Sequence, residues 1–189
     1  MSRPRRRSTP RLYLDSSVFI EVIQGTTRAG GDHPDLFDAC VNLIQEFERG
    51  ACSLVMSELV YTETFHRGEA KLTDKRHSRH ARGATLEAAG KLIDEWFRRP
   101  DIIRVELHQA IAEEARELAL RHRLDSHDAV HLVTAMDEAC ETFITLDKDL
   151  IGRVAEADLG MRVELPSSDW EGQTSLLIPG QQGLRVVGS

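Results

Sequence analysis

The run RLYLDSSVFI, residues 11–20, sets the fold class of this chain. It begins with a short apolar part that breaks at Asp15-Ser16-Ser17. An apolar run that ends in such a polar group predicts a buried β-strand followed by the N-terminal cap of a helix. Apolar residues from Val18 to Ile23 predict that this helix is short, and that Gly25 and the pair Gly30-Gly31 end it.

Strand and helix patterns alternate along the rest of the chain. Helices are predicted at 35–48, from 57 onward, and at 85–98, 109–122, 126–138 and 149–157, and strands at 53–56, 102–107, 142–145 and 161–165. Residues 69–83 lack a periodic pattern and are predicted to form a loop. Strands that alternate with helices indicate βαβ units, so we expect an α/β fold, a three-layer α/β/α sandwich around a central, mainly parallel sheet.

The composition indicates a single soluble domain with short appendages. The chain has 189 residues, of which 41% are hydrophobic and 29% are charged. No apolar run exceeds three residues, which argues against a transmembrane helix and a secretory signal. The three cysteines form no CxxC motif, which disfavours structural zinc and a disulfide framework and favours a reducing cytoplasm.

Charge divides the chain unevenly. Residues 1–11 carry five arginines and no acidic residue, whereas the remainder carries 19 basic against 31 acidic residues. We predict a basic N-terminal arm at 1–10, a globular domain at 11–165 and a polar tail at 166–189. An acidic body argues against nonspecific affinity for nucleic acid, but it allows a local basic groove beside an acidic pocket.

Acidic residues follow several of the predicted strands. Asp15 follows the first strand and Asp147 the fourth, while Glu63 lies in the second turn of one predicted helix and Asp128 in the first turn of another. Carboxylates that meet at one edge of a parallel sheet repel each other unless a cation lies among them, and oxygen ligands favour Mg²⁺ or Mn²⁺. Such a site suits phosphodiester hydrolysis by a metal-activated water. Helix capping offers a structural alternative for Asp15 and Asp128.

Four segments resemble the motifs of PIN-domain ribonucleases. They are, in the order of the family, LYLDSSVFI at 12–20, MSELVYTE at 56–63, LDSHDAVHLVTA at 124–135 and FITLDKDL at 143–150. The acids aligned with the family motifs, Asp15, Glu63, Asp128 and Asp147, are successively 48, 65 and 19 residues apart. Each motif is weak alone, but together they cover roughly residues 11–165.

The resemblance implies a PIN-like fold and a Mg²⁺- or Mn²⁺-dependent endoribonuclease. The acidic ligands would be Asp15, Glu63, Asp128 and Asp147, with Asp149 as an auxiliary ligand and with Thr145, Ser16 and Ser17 orienting water or a carboxylate. Small members of the family are mostly VapC-type toxins that a cognate antitoxin inhibits. The arm, the basic loop and the tail make this chain longer than many such toxins.

Two details of the motifs allow alternatives. Glu58 competes with Glu63, but the two lie about 500° apart around a helix, so only one can face the site; the six-residue spacing from Ser57 favours Glu63. The sequence HDAVH at 127–131 is one residue type away from the zinc-protease motif HExxH. It lacks an obvious third ligand, so we interpret His131 as a surface residue or as a residue that contacts a metal ligand.

A basic segment at 66–82 predicts a surface for the RNA backbone, although a solvated charged loop would have the same composition. Its basic residues are Arg67, Lys71, Lys75, Arg76, Arg79 and Arg82. The apolar faces at 35–48 and 57–67 would support a homodimer, and core packing explains them equally well. Two alternative functions remain: a noncatalytic RNA-binding or scaffolding module, and a structure-specific DNA nuclease.

Overall fold

The computed structural model describes residues 9–27, 34–64, 91 and 94–167. Five strands lie within these ranges: β1 (Arg11–Leu14), β2 (Ser53–Ser57), β3 (Ile103–Val105), β4 (Thr142–Ile144) and β5 (Arg162–Glu164). The helices in the same ranges are α1 (Ser16–Thr27), α2 (Pro34–Glu48), α3 (58–64), α4 (94–97), α5 (Gln109–His122), α6 (Ser126–Asp137) and α7 (Lys148–Val154). No described helix is both long and apolar enough to cross a bilayer.

The strands form one parallel sheet in the order β3-β2-β1-β4-β5. The prediction of a three-layer α/β/α sandwich with a mainly parallel sheet is confirmed. From β1 the chain first adds strands on one side and then crosses to the other side at β4. This reversal makes the carboxyl ends of β1 and β4 the topological switch point, where open α/β sheets bind ligands.

The core is built around β1, whose last three side chains are fully buried. Tyr13 stacks on Phe143 of the neighbouring strand β4, with ring centroids 5.1 Å apart and planes 5° from parallel. A strand buried on both faces is apolar along its length, which explains the run Leu-Tyr-Leu at 12–14. Cys40, Cys52 and Cys140 are free and buried, and burial raises the pKa of each thiol to about 12.

Most predicted elements lie where the sequence patterns place them, and α1 is the main exception. It begins at Ser16 and runs through Gly25 to Thr27, so the prediction that Gly25 ends the helix is wrong. One glycine costs a helix only about 1 kcal/mol, which the packing of α1 on α2 can offset. The last three strands are shorter than predicted. Of the predicted helix 85–98, the structure describes residues 91 and 94–98, and residues 91 and 94–97 are helical.

Candidate metal centre

Asp15 occupies the carboxyl end of the central strand. Its amide donates to the carbonyl of Ile144 at 3.0 Å, so the sheet ladder fixes its backbone. Its Oδ1 accepts the amide of Ser16 at 2.7 Å, and its Oδ2 accepts the hydroxyls of Ser17 at 2.6 Å and Thr145 at 2.8 Å. These donors stabilise the ionised form of a buried carboxylate and hold it in one orientation.

The two oxygens of Asp15 are not equivalent. Two hydroxyl donors occupy Oδ2, which has two lone pairs. Ser16 Oγ lies 3.4 Å from Oδ1 but only 2.7 Å from Glu63 Oε2, so its single proton serves Glu63. Of the donors that the structure describes, Oδ1 therefore has one close partner, the Ser16 amide, and it is the oxygen of Asp15 better able to bind a cation.

Glu63 lies on α3 and faces Asp15 across Ser16. It is 8% exposed, and both its carboxylate oxygens have partners. Oε2 lies 2.7 Å from Ser16 Oγ and 3.1 Å from His131 Nε2, and Oε1 lies 3.0 Å from His127 Nδ1. The competing Glu58 is exposed on the same helix. The structure thus buries Glu63, and not Glu58, beside Ser16 and Asp15.

His131 connects Glu63 to the core of the sheet. The ring is 1% exposed, and its Nδ1 lies 2.7 Å from the hydroxyl of Tyr13. That hydroxyl accepts the amide of Ser57 at 3.1 Å and lies 3.0 Å from the Ser57 hydroxyl. Burial of Tyr13 raises the pKa of its phenol, so the hydroxyl keeps its proton. The interpretation of His131 as a surface residue is therefore wrong, and it contacts a predicted ligand.

Asp128 lies in the first turn of α6, behind the N-cap residue Asp125, whose side chain accepts the amide of His127 at 3.0 Å. Partial burial and, to a smaller extent, the negative charges of Asp15 and Asp147 together raise the pKa of Asp128 to about 6. Burial and nearby negative charges both favour the protonated form, and a cation bound beside Asp128 would oppose both effects.

Asp147 caps α7 and lies at the mouth of the site. Its Oδ1 accepts the amides of Asp149 at 2.8 Å and Leu150 at 3.0 Å, and its own amide donates to Thr145 Oγ1 at 3.1 Å. Asp147 and Asp149 are exposed, and together with Ser17 they line an open pocket of about 450 Å³. The hydroxyl of Thr145, which follows β4, therefore connects the amide of Asp147 to the carboxylate of Asp15.

The arrangement can hold a divalent cation. Among the described residues, carboxylate oxygens of Asp15 and Glu63 and a ring nitrogen of His131 lie within 4.8 Å of one another, and the two carboxylates are the candidate ligands. Such an ion would neutralise the negative charges of Asp15 and Asp147, which add to the effect of burial on the pKa of the nearby Asp128. A donor set dominated by carboxylate oxygens fits Mg²⁺ or Mn²⁺ better than zinc.

The predicted site residues therefore differ in their placement. One hydrogen-bonded group contains Asp15, Glu63, Ser16, Ser17 and Thr145. The charges of Asp15 and Asp147 act on Asp128. Asp149 lies in the first turn of α7. The six basic residues at 67–82 lie outside the described residues.

Sequence reasoning missed Tyr13 and Ser57 as partners of the site. Tyr13 reads as an ordinary core residue of a buried strand, and Ser57 as the start of a helix. The available signal was the spacing of His127 and His131, which places two imidazoles on one helical face. In the structure both rings contact Glu63, so they do not present the open metal-binding face of an HExxH helix.

The sequence matches the family model described as PIN domain over residues 12–157. A comparison with curated proteins finds no match.

Solved structures show the same architecture at low sequence identity. PAE2754 from Pyrobaculum aerophilum is 14% identical, with a TM-score of 0.52 over 82% of this chain and 84% of that one. A toxin–antitoxin complex from Klebsiella pneumoniae contains a chain that is 15% identical, with a TM-score of 0.50 over 82% of this chain and 97% of that one. VapC20 of Mycobacterium tuberculosis, a toxin that cleaves the sarcin-ricin loop, is 13% identical, with a TM-score of 0.50 over 74% of this chain and 92% of that one. At these identities the likeness concerns the fold alone.

Proposed function

This chain belongs to the PIN domain family, and from this premise we propose that it is a metal-dependent endoribonuclease. The observation that carries the proposal is the buried pair of Asp15 and Glu63, which one serine links at the switch point of the sheet. Two buried carboxylates beside a third with a raised pKa are costly to fold, and binding of a divalent ion would repay that cost.

Each residue of the group has a distinct part in the proposed reaction. A bound Mg²⁺ or Mn²⁺ would activate a water and stabilise charge that develops on the scissile phosphate. Asp15 and Glu63 would hold the ion, with Asp128 and Asp147 completing the acidic set and Asp149 as an auxiliary ligand. The hydroxyls of Ser16, Ser17 and Thr145 keep the two buried carboxylates oriented, as their hydrogen bonds indicate.

We further propose that the protein is the toxin of a type II toxin–antitoxin pair and acts on RNA in the cytoplasm. Support comes from two structures of similar fold, one a toxin–antitoxin complex and one a toxin that cleaves the sarcin-ricin loop. A cognate antitoxin is the expected partner, and a homodimer remains an expectation of the sequence. The nuclease domain would span 11–165, between the basic arm at 1–10 and the polar tail at 166–189. The RNA-binding residues are proposed to be Arg67, Lys71, Lys75, Arg76, Arg79 and Arg82.

The test is a cleavage assay with purified protein, structured RNA and matched DNA in Mg²⁺ or Mn²⁺. We expect the wild type to cut RNA internally, EDTA to stop the reaction, and Asp15→Asn to lose at least about 100-fold in rate while keeping its fold, because one ligand charge is gone. Glu58→Gln is the matched control, because it removes an exposed acid from the helix that carries Glu63.

Each other outcome overturns part of the proposal. Preference for DNA would identify a structure-specific DNA nuclease. Binding of RNA without cleavage in any metal would identify a noncatalytic module. Full activity of Asp15→Asn would remove Asp15 from the site.

A further inference from the structure

Glu63 contacts a buried histidine, His131, which is not one of the acidic ligands that the resemblance implies. His131 Nε2 lies 3.1 Å from Glu63 Oε2, and the imidazole is 1% exposed. Both ring nitrogens have partners, since Nδ1 lies 2.7 Å from the hydroxyl of Tyr13. The ring therefore bridges a carboxylate at the site and a phenol in the core.

The proton positions follow from the partners. A carboxylate oxygen accepts hydrogen bonds, so the geometry points to Nε2 as the ring nitrogen that donates to Glu63. Two hydroxyls face the other ring nitrogen, Nδ1: that of Tyr13 at 2.7 Å and that of Ser57 at 3.3 Å, so the phenol is the closer donor. The phenol oxygen in turn accepts the amide of Ser57 at 3.1 Å. A chain of donors thus runs from the end of β2 through Tyr13 and His131 to Glu63.

We propose that His131 is a positioning residue for Glu63, and that Tyr13 holds its ring in the tautomer that this role requires. The inference rests on the proposed function, because it takes Glu63 to be a metal ligand. Together with Ser16, His131 supplies two donors to Oε2, and these fix the rotation of the carboxylate relative to Asp15. Partners of this kind typically change metal affinity 10- to 100-fold when they are removed.

The first test measures Mn²⁺ affinity by calorimetry, which needs no catalysis. We expect His131→Leu to weaken Mn²⁺ binding about 10- to 100-fold and His131→Gln, whose amide can reach the position of Nε2, to recover a large part of it. Thr134→Val is the matched control. Thr134 lies one turn further along α6, is equally buried and donates to Val130, so its loss should leave Mn²⁺ affinity unchanged.

The second test reads the tautomer directly in the metal-free wild type by ¹⁵N NMR of the His131 ring. We expect the proton on Nε2 and the lone pair on Nδ1. Tyr13→Phe keeps the ring that stacks on Phe143 but deletes the hydroxyl, so it should lower Mn²⁺ affinity in the same direction as His131→Leu.

Three results would overturn the proposal: an unprotonated His131 Nε2 in the metal-free protein, wild-type Mn²⁺ affinity in His131→Leu, or a loss of Mn²⁺ affinity in Thr134→Val as large as that in His131→Leu. A different result would contradict the proposed function alone: a wild-type protein that binds Mn²⁺ but does not cleave RNA. A wild type without Mn²⁺ affinity would overturn both.

Discussion

At the scale of single residues, small hydroxyl side chains organise the charge of the site. Ser16, Ser17 and Thr145 reach the buried carboxylates of Asp15 and Glu63 over 2.6 to 2.8 Å. Hydrogen bonds to an ionised group contribute more than neutral ones, so each hydroxyl stabilises charge that burial would otherwise disfavour. The same bonds leave the carboxylates with little rotational freedom, which is the preorganisation that a metal site needs.

Thr145→Val is predicted to weaken metal binding. Thr145 is fully buried, donates to Asp15 Oδ2 and accepts the amide of Asp147 at 3.1 Å, so valine preserves its shape and removes both bonds. We expect about a tenfold or larger loss of Mn²⁺ affinity and a stability loss of about 1–3 kcal/mol. Thr142→Val, three residues earlier on β4, is the control; it should leave Mn²⁺ affinity unchanged. Equal Mn²⁺ affinity in the two variants would contradict the role given to Thr145.

Asp128→Asn is predicted to stabilise the metal-free protein at neutral pH. The pKa of Asp128 is raised to about 6, above the ordinary aspartate value of about 3.9, so the folded state binds the proton more tightly than the unfolded chain. The stability that this proton contributes is present below about pH 4 and is lost as the pH rises through about 6. Because solvent screens a half-buried carboxyl, we expect a gain on the order of 1 kcal/mol above pH 6 and none near pH 4.

Urea unfolding in EDTA at both pH values measures this difference. Glu117→Gln, an exposed acid on α5, serves as the control and should be neutral at both. A gain in Asp128→Asn that is the same at pH 4 and pH 7.5 would show that charge relief is not its cause.

At the scale of elements, the site is built where secondary structure changes. Helices α1, α6 and α7 begin beside acids of the site, and β1 and β4 end there. Asp147 shows the dual use of such positions, because it accepts two amides as the N-cap of α7 while its charge raises the pKa of Asp128.

Substitutions at Asp147 should separate its two roles. Asp147→Asn keeps an oxygen acceptor for the first turn of α7, whereas Asp147→Ala removes the cap and should cost about 1 kcal/mol. We expect thermal unfolding to show near wild-type stability for the asparagine variant and a loss for alanine, while both lose RNA cleavage because the charge is absent. Wild-type cleavage by Asp147→Asn would restrict this residue to capping.

The secondary-structure elements and the acidic residues of the candidate site could be predicted from sequence because the patterns that indicate them are local. Asp15 and Thr145 follow apolar strands directly, and the ends of parallel strands share one edge of the sheet. The bond of Tyr13 to His131 joins residues that are 118 positions apart, and no local pattern encodes it. The passage of α1 through Gly25 likewise depends on tertiary packing, which overrides a propensity of about 1 kcal/mol.

At the scale of the whole molecule, the strand order explains how four distant segments meet at one edge of the sheet. Placing β1 between β2 and β4 brings Asp15 next to the elements that carry Glu63, Asp128 and Asp147. The chain has a net charge of −7, and its excess of acidic residues lies outside the N-terminal arm. The proposed nuclease would therefore use a bound cation to accept an RNA phosphate at this edge.

Anomalous diffraction from crystals grown with Mn²⁺ tests most directly whether a cation binds at this edge of the sheet. The geometry predicts a strong peak at the carboxyl edge of the sheet, between Asp15 Oδ1 and the carboxylate of Glu63, and its loss in crystals of Asp15→Asn. No peak at that position, or a peak only beside the exposed Asp147 and Asp149, would contradict the metal centre on which the proposed nuclease depends.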